Sequence, residues 1–375
     1  HFIEHLVFKG TETRTAREIA LAMDSVGGQI DAFTSKEYTC FYAKVLDEHL
    51  PTAVSLLADI VRRPRFDPTE LERERQVVME EIRMVEDSPE ELAYDLFSSH
   101  FYPGSALGRP IQGTASTVAA LSRQRLLRFF KSSYRPERLL IVAAGNLKHG
   151  GTARMVRDAL STLEKGRPFT RKIPKPRNKA GITSRDKKEL EQLHLLLGLP
   201  AFCDDIKLRY PLFVLNTIFG GTMSSRLFQK IREERGLAYS VYSAVNTFSD
   251  DGFMAIYAAT NPASGDQVVR LILEELRDLR DRGPTEEELR VAKEHLKGSL
   301  MLALESTTSR MSNLARQEIY YGRQVTLAET LRGVDKVGVR QVHQLARDLF
   351  SNRGLSLALV GKLGRMKLDE RELQL

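Results

Sequence analysis

The chain states its plan twice. Phe66-Asp67-Pro68-Thr69-Glu70 opens a helical stretch in the first half, and Gly283-Pro284-Thr285-Glu286-Glu287 opens one in the second, with the two prolines 216 positions apart. Leu139-Leu140-Ile141-Val142-Ala143-Ala144-Gly145 and Leu355-Ser356-Leu357-Ala358-Leu359-Val360-Gly361 end on glycines at the same spacing of 216. Upstream, Phe8-Lys9-Gly10-Thr11 matches Phe219-Gly220-Gly221-Thr222 at a spacing of 211, so a few inserted residues reconcile the two values. A period above about 200 residues is far longer than that of any solenoid repeat. The chain is therefore expected to form two homologous domains.

Within each copy the elements follow one order. Thr15 to Ser25 reads as a helix, with Thr15 and Glu18 at capping-box spacing and Gly27 suited to the turn that follows. Gln29–Thr34 and Glu37–Leu46 read as a hairpin around Ser35-Lys36. Helices are expected over Glu48–Val61, Pro68–Val85, Pro89–Ser99 and Val118–Lys131, then a strand over Leu139–Ala144. The second half gives a hairpin near Tyr239–Thr260, helices, and a strand near Leu355–Val360. Strands, then a run of helices, then one more strand argue for an α+β fold: two homologous domains, each a mainly antiparallel sheet with helices on one face.

The formal net charge of +7 has a local origin. Between Lys165 and Lys188 ten basic residues face one acid, Asp186, in a stretch broken by Pro168, Pro174, Pro176 and Gly181. That stretch reads as a solvated linker and leaves the remainder slightly acidic, so nucleic-acid binding is not supported. The expected division is residues 1–164, a basic linker 165–188, and residues 189–375. No apolar run reaches the roughly 18–20 residues of a membrane span. Cys40 and Cys203 cannot build a disulfide framework; Cys40, on a strand, reads as a small core residue. The chain opens on His1, without Met, inside a helical pattern. The natural N-terminus is expected upstream, so the compartment stays unknown, with the cytoplasm favoured.

The first five residues, His1-Phe2-Ile3-Glu4-His5, concentrate the chemistry. Positions i, i+3 and i+4 share one face of a helix, so His1 and His5 can offer two imidazole nitrogens to one metal, with Glu4 beside them. Two histidines plus a carboxylate leave a fourth zinc position open for water. Zinc brings that water toward ionisation at neutral pH, and Glu4 can take its proton. The order His-x-x-Glu-His is a zinc-peptidase signature, the reverse of the commoner His-Glu-x-x-His.

A third ligand is sought on the helix Pro68–Val85. Glu80 shares its face with Arg73, Gln76, Arg83 and Asp87, a solvated surface, whereas Glu81 lies with Glu74, Val77, Val78 and Val85. A carboxylate on an apolar stripe is costly unless paired, protonated or metal-bound. Glu81 is thus the expected ligand. Glu74, two turns earlier, is expected to orient a histidine or back the site.

HFIEHLVFKGT, with Glu81 in ERERQVVMEEIRMVEDSPEE, resembles the pitrilysin/insulinase family of zinc peptidases, in the branch of mitochondrial processing peptidase and its bacterial relatives. The similarity continues through GGQIDAFTSKEYTCFYAKVLDEHLP, LGRPIQGT and TMSSRLFQKIREERGLAYS, across nearly the whole chain. It implies Zn2+ held by His1, His5 and Glu81, with Glu4 activating water and Glu74 in support. It also implies that Arg232 and Tyr239, seven positions apart, bind substrate. An edge strand can hold an extended peptide by backbone pairing, and the resemblance assigns this to Asp31-Ala32-Phe33-Thr34, with Asp31 where the family usually has Asn.

At the repeat spacings His1, Glu4 and His5 correspond to Leu212, Leu215 and Asn216, and Glu81 to Lys297, so the second copy lacks every ligand. The expected function is zinc metalloendopeptidase activity on extended peptides or unstructured protein segments, with Glu4 activating a zinc-bound water. The alternative is a non-catalytic family member serving as an assembly or substrate-binding subunit. The resemblance further implies two domains facing across a cleft, and a homodimer or a pairing with an inactive paralogue.

Overall fold

The computed structural model describes residues 1–166, 175–201, 208–351, 354–364 and 368–375. Cys203 and part of the basic stretch lie outside them. The described chain groups into two compact units. One comprises His1–Met84, Pro110–Ile173 and Ser306–Ala315; the other comprises Val85–Arg109, Pro174–Glu305 and Arg316–Leu375. Each unit takes in a piece of the opposite half of the sequence.

The first unit begins with α1 (Phe2–Val7) and α2 (Ala16–Asp24). The side chain of Thr15 accepts from the Glu18 amide while Glu18 caps Thr15 in return, and Gly27 takes the left-handed conformation with φ +60°. The hairpin follows as β1 (Gln29–Thr34) and β2 (Thr39–Lys44), paired antiparallel from Gln29–Lys44 to Thr34–Thr39. Helices α3 (Leu50–Arg62) and α4 (Pro68–Asp87) come next. Phe2, Leu6, Val7, Ile19, Met23, Leu56, Ile60, Leu71 and Val78 pack into one apolar cluster beneath them. Helix α5 (Pro89–Phe101) leaves for the other unit.

The single helix expected over Val118–Lys131 is two helices, α6 (Ala115–Ala119) and α7 (Arg123–Ser133). Ser122 caps the second by accepting from the Arg125 amide, and Arg75 of α4 donates to the carbonyls of Val118 and Leu121 at the break. A new cap and an outside donor satisfy the groups that a continuous helix would have paired internally. Residues 139–144 form no strand, contrary to expectation, and Leu140 and Ile141 are exposed. A strand needs a neighbour, and among the described residues none runs alongside. Helix α8 (His149–Ala159) closes this part.

The second unit carries a five-stranded sheet. Its strands are β3 (Gly181–Asp186), β4 (Leu193–Pro200), β5 (Ala238–Thr247), β6 (Gly252–Thr260) and β7 (Ser356–Gly361), in the order β3-β7-β4-β6-β5. Only β3–β7 is parallel. Strand β3 falls inside the span read as linker. Its outer residues Ser184–Asp186 are exposed, as an edge strand allows, so its charges hid it from a hydrophobic pattern. The helices are α9 (Arg209–Phe219), α10 (Gly265–Arg282), α11 (Glu286–Ala303), α12 (Thr307–Tyr321), α13 (Leu327–Asp335) and α14 (Val339–Leu349).

Both faces of this sheet are buried. Leu193, Leu195, Leu197, Ile256, Leu357 and Leu359 meet α9, α10 and α14 on one face. Leu196, Phe253, Tyr257, Ala358 and Val360 meet Phe97, Phe101 and Tyr102 on the other. The covering helix there is α5, from the first half. It approaches so closely that a Cβ on Gly198 would lie 2.2 Å from the Phe97 ring. The register of α5 is thus keyed to one glycine. Helix α12 begins 218 positions after α5, near the repeat spacing, and its first residues belong to the opposite unit in turn.

Candidate metal centre

Six residues suffice for α1 because its apolar positions are adjacent pairs one turn apart. Phe2, Ile3, Leu6 and Val7 are buried, which leaves His1, Glu4 and His5 on the other face. Across from that face runs α4. Glu81 Oε2 lies 3.3 Å from His1 Nε2, and Glu81 Oε1 lies 3.4 Å from His5 Nε2. One ligand atom from each of the three residues fits within 4.8 Å of the others. Glu80, one position earlier, is exposed and pairs with Arg83. Val77 is also exposed; the buried stripe of α4 is Leu71, Glu74 and Val78.

Glu74 is buried, with two partners. Its Oε2 lies 3.1 Å from His5 Nδ1 and its Oε1 2.8 Å from Lys9 Nζ. A carboxylate only accepts, so His5 Nδ1 is the donor to Glu74, the arrangement that would leave Nε2 as the atom to ligate a metal. Glu4 is held from the hairpin: Thr34 Oγ1 donates to Glu4 Oε2, and Thr39 Oγ1 lies 3.1 Å from Thr34 Oγ1. Burial, with the nearby Glu4 charge adding to it, pushes the Tyr134 hydroxyl up to about 12. The same two causes raise the Cys40 thiol, so both groups keep their protons at neutral pH. Cys40 is half-buried on β2 and is no thiolate nucleophile.

The donor set fits zinc. Zn–N and Zn–O bonds of about 2.0–2.1 Å in a tetrahedron put neighbouring ligand atoms about 3.3 Å apart. The histidine–Glu81 separations, 3.3 Å to Oε2 and 3.4 Å to Oε1, are of that order, with one carboxylate oxygen toward each ring. They are long for charge-assisted hydrogen bonds, which run at about 2.7–2.9 Å.

The remaining residues named from sequence divide between the units. On β1, Asp31 accepts from the Ala32 amide and from Tyr42 Oη, Phe33 is exposed, and Thr34 reaches Glu4. Arg232 and Tyr239 belong to the other unit. Arg232 sits in a π-helical turn, Phe228–Glu233, with its guanidinium 4.7 Å from the Phe228 ring and 4.5 Å from the Tyr239 ring. Tyr239 is 77 % exposed, so this stack faces solvent. The helix that corresponds to α1 is α9, where Leu212 and Leu215 are buried and the Asn216 side chain accepts from Ser243. Lys297, opposite Glu81 in the repeat, pairs with Glu294 and Asp335.

Sequence reasoning missed Lys9 and a second network. Buried Asp59 of α3 accepts from Thr11 Oγ1 at 2.6 Å, Thr13 Oγ1 at 2.9 Å and Arg14 at 2.7 Å. It ties down the loop that leaves α1. The Thr11, Thr13 and Arg14 donors lie 45 to 48 positions from Asp59, so no local pattern announces them.

Residues 1–115 match the model of the insulinase family (peptidase family M16), and residues 120–296 match that of the peptidase M16 inactive domain. The chain is 43% identical to the uncharacterized zinc protease YmxG of Bacillus subtilis, over 98% of its own length and 88% of the relative. The chain belongs to the insulinase family. An uncharacterized zinc protease of Mycobacterium leprae is 42% identical over all of this chain and 85% of that one. Among solved structures, a protease from Helicobacter pylori superposes with a TM-score of 0.90 at 20% identity, covering 96% of this chain and 88% of that one. A peptidase M16 inactive domain from Pseudomonas fluorescens gives 0.89 at 22%, covering 96% and 87%. Insulinase-family membership agrees with the resemblance carried by the His-x-x-Glu-His motif, and the two structures agree with the mixed α+β architecture.

Proposed function

We propose that this chain is a zinc-dependent endopeptidase acting on extended peptides or unstructured segments of proteins. The observation that carries the reading is the meeting of His1, His5 and Glu81 at ligand spacing with Glu4 on the same helical face. Relatives named zinc proteases support it. Among the described residues no helix is long and apolar enough to cross a membrane.

His1, His5 and Glu81 would hold the zinc ion. When bound, zinc supplies Lewis acidity toward the scissile carbonyl and lowers the pKa of a water. Glu4 takes one proton from the attacking water as its oxygen bonds to the carbonyl carbon. It returns that proton to the amine nitrogen when the C–N bond breaks. The Arg232 guanidinium lies against the Phe228 and Tyr239 rings, and its fork of N–H donors would suit substrate carbonyls alongside Tyr239. Among the described residues β1 pairs only with β2, which leaves its other edge for an extended peptide. Asp31 would bring negative charge to that edge and favour basic residues nearby. Pairing with a second copy or an inactive paralogue completes the proposal.

The test compares full-length wild type with Glu81→Gln and Glu4→Gln. One zinc per chain and chelator-sensitive cleavage of a quenched peptide library are expected for wild type. Glu81→Gln loses both, while Glu4→Gln keeps zinc and loses cleavage. Zinc-free, well-folded wild type would sink the reading in favour of a non-catalytic subunit. Arg232→Lys, which keeps the charge and loses the planar fork, is expected to raise KM on the same substrates.

A further inference from the structure

The hairpin does something for Glu4 that its place on a sheet edge does not require. Thr34 and Thr39 are directly opposite each other at the end of the β1–β2 register. Their hydroxyls lie 3.1 Å apart, and Thr34 also contacts Glu4 Oε2. A threonine hydroxyl has one proton to give. Glu4 as a carboxylate can only accept, so the Thr34 proton is committed to Oε2. Thr39 must then be the donor to Thr34. The direction of the chain is fixed: Thr39 to Thr34 to Glu4.

Two consequences follow for the carboxylate. Its side-chain rotamer is pinned from one side, and Oε2 is engaged. Among the described residues Glu4 Oε1 accepts no hydrogen bond, so it is the oxygen open to an incoming proton. From this geometry we infer that Thr34 is a positioning residue for Glu4, backed by Thr39, and that the pair directs proton uptake to Oε1. The inference rests on Glu4 being the proton acceptor proposed above. It assigns Thr34 a function separate from backbone pairing with peptide, because the hydroxyl engaged here is a side-chain group turned to α1.

The two roles of Thr34 predict different kinetics. A residue that only helps pair the peptide backbone acts in binding, so its loss raises KM. A residue that aims the proton acceptor acts in the chemical step, so its loss lowers kcat. Thr34→Val keeps the shape and removes the hydroxyl, which leaves no cavity to confuse the result. A hydrogen bond to a charged group corresponds to about a tenfold to hundredfold effect.

Four variants make the test, each in the full-length zinc-loaded protein: Thr34→Val, Thr34→Ser, Thr39→Val and Glu4→Gln. Thr34→Val is expected to lower kcat by about tenfold to a hundredfold with KM and zinc content held. Thr34→Ser is expected to recover most of that loss, and Thr39→Val to lower kcat by a smaller factor. A crystal structure of Thr34→Val should show Glu4 in more than one rotamer, where wild type shows one. The inference is overturned if Thr34→Val raises KM and keeps kcat, if Thr34→Ser is as slow as Thr34→Val, or if Glu4 holds its single rotamer without the hydroxyl. An active Glu4→Gln enzyme would instead remove the catalytic reading itself, an outcome separable from the others.

Discussion

The Glu74 carboxylate accepts from His5 Nδ1 at 3.1 Å, and the opposite ring nitrogen, Nε2, lies 3.4 Å from Glu81. Lys9 holds the other Glu74 oxygen, so the carboxylate is fixed at both ends. Partners that orient a ligating histidine are typically worth about tenfold to a hundredfold in metal affinity. Glu74→Gln can turn its amide to present NH2 to Nδ1 and also loses the charge. Its zinc affinity is expected to drop by about that factor, read by competition against a chromophoric chelator. Lys9→Met should have a smaller effect in the same direction.

Asp59 makes a pH prediction. Burial alone would raise its carboxyl, but hydrogen bonds from Thr11, Arg14 and Thr13 outweigh it and hold the group below the ordinary carboxylate range. A depressed carboxyl stabilises the fold fully above its unfolded pKa of about 3.9 and loses that contribution as pH falls through the folded value. Acid unfolding of the wild type should therefore include a loss below about pH 4 that Asp59→Asn lacks. At neutral pH that variant should be less stable by about 1–3 kcal/mol, since Arg14 and two hydroxyls lose a charged acceptor. Urea melts at several pH values check both.

Arg226 clamps the segment leading into the π-helical turn. It donates to both oxygens of Glu288 at 2.6 and 3.0 Å, to Asp278 at 2.7 Å and to the Gly283 carbonyl at 3.2 Å. Glu288 in turn caps Thr285 at the start of α11. Breaking a buried pair costs about 3–5 kcal/mol. The Asp278 and Glu288 side chains are 33% and 28% exposed, so water recovers part of that. Arg226→Met should cost about 2 kcal/mol in denaturant unfolding. Arg226→Lys should recover little, because an ammonium cannot reproduce the two-pronged contact.

Gly198→Ala tests the docking of α5. The new methyl would sit 2.2 Å from the Phe97 ring, which is itself buried beside Phe101 and Phe253 and cannot simply swing away. Overpacking of this kind costs about 1–3 kcal/mol. Gly198→Ala combined with Phe97→Leu should be less destabilised than the sum of the two single changes, read from thermal melts.

What the sequence made legible was local. The spacing of His1, Glu4 and His5 shows one helical face, and periodicity along α4 separates Glu81 from Glu80 without any knowledge of the partner helix. The Thr15–Glu18 box and Gly27 mark both ends of α2 in the same way. The long-range pieces were silent. Thr34 reaches Glu4 across 30 positions, and Asp59 gathers its donors across 45 to 48. Residues 139–144 have a strand's composition, yet pairing belongs to a neighbour and not to a segment. Strand β3 shows the converse, a charged stretch made into a strand by β7 beside it. The break between α6 and α7 depends on Arg75 reaching in from α4, which no reading of Val118–Lys131 alone could supply.

The traded segments bear on how the protein is made. During synthesis Pro89–Phe101 leaves the ribosome well before the strands it must cover, the last of which ends at Gly361. The first unit in turn waits for Ser306–Ala315. Neither unit can be completed from the half of the gene that encodes most of it. The nascent chain therefore carries the apolar face of this helix without its complete sheet until Gly361 has been made, an exposure of the kind that chaperones cover. Two separately expressed halves should each be incomplete, and should recover their structure only when mixed.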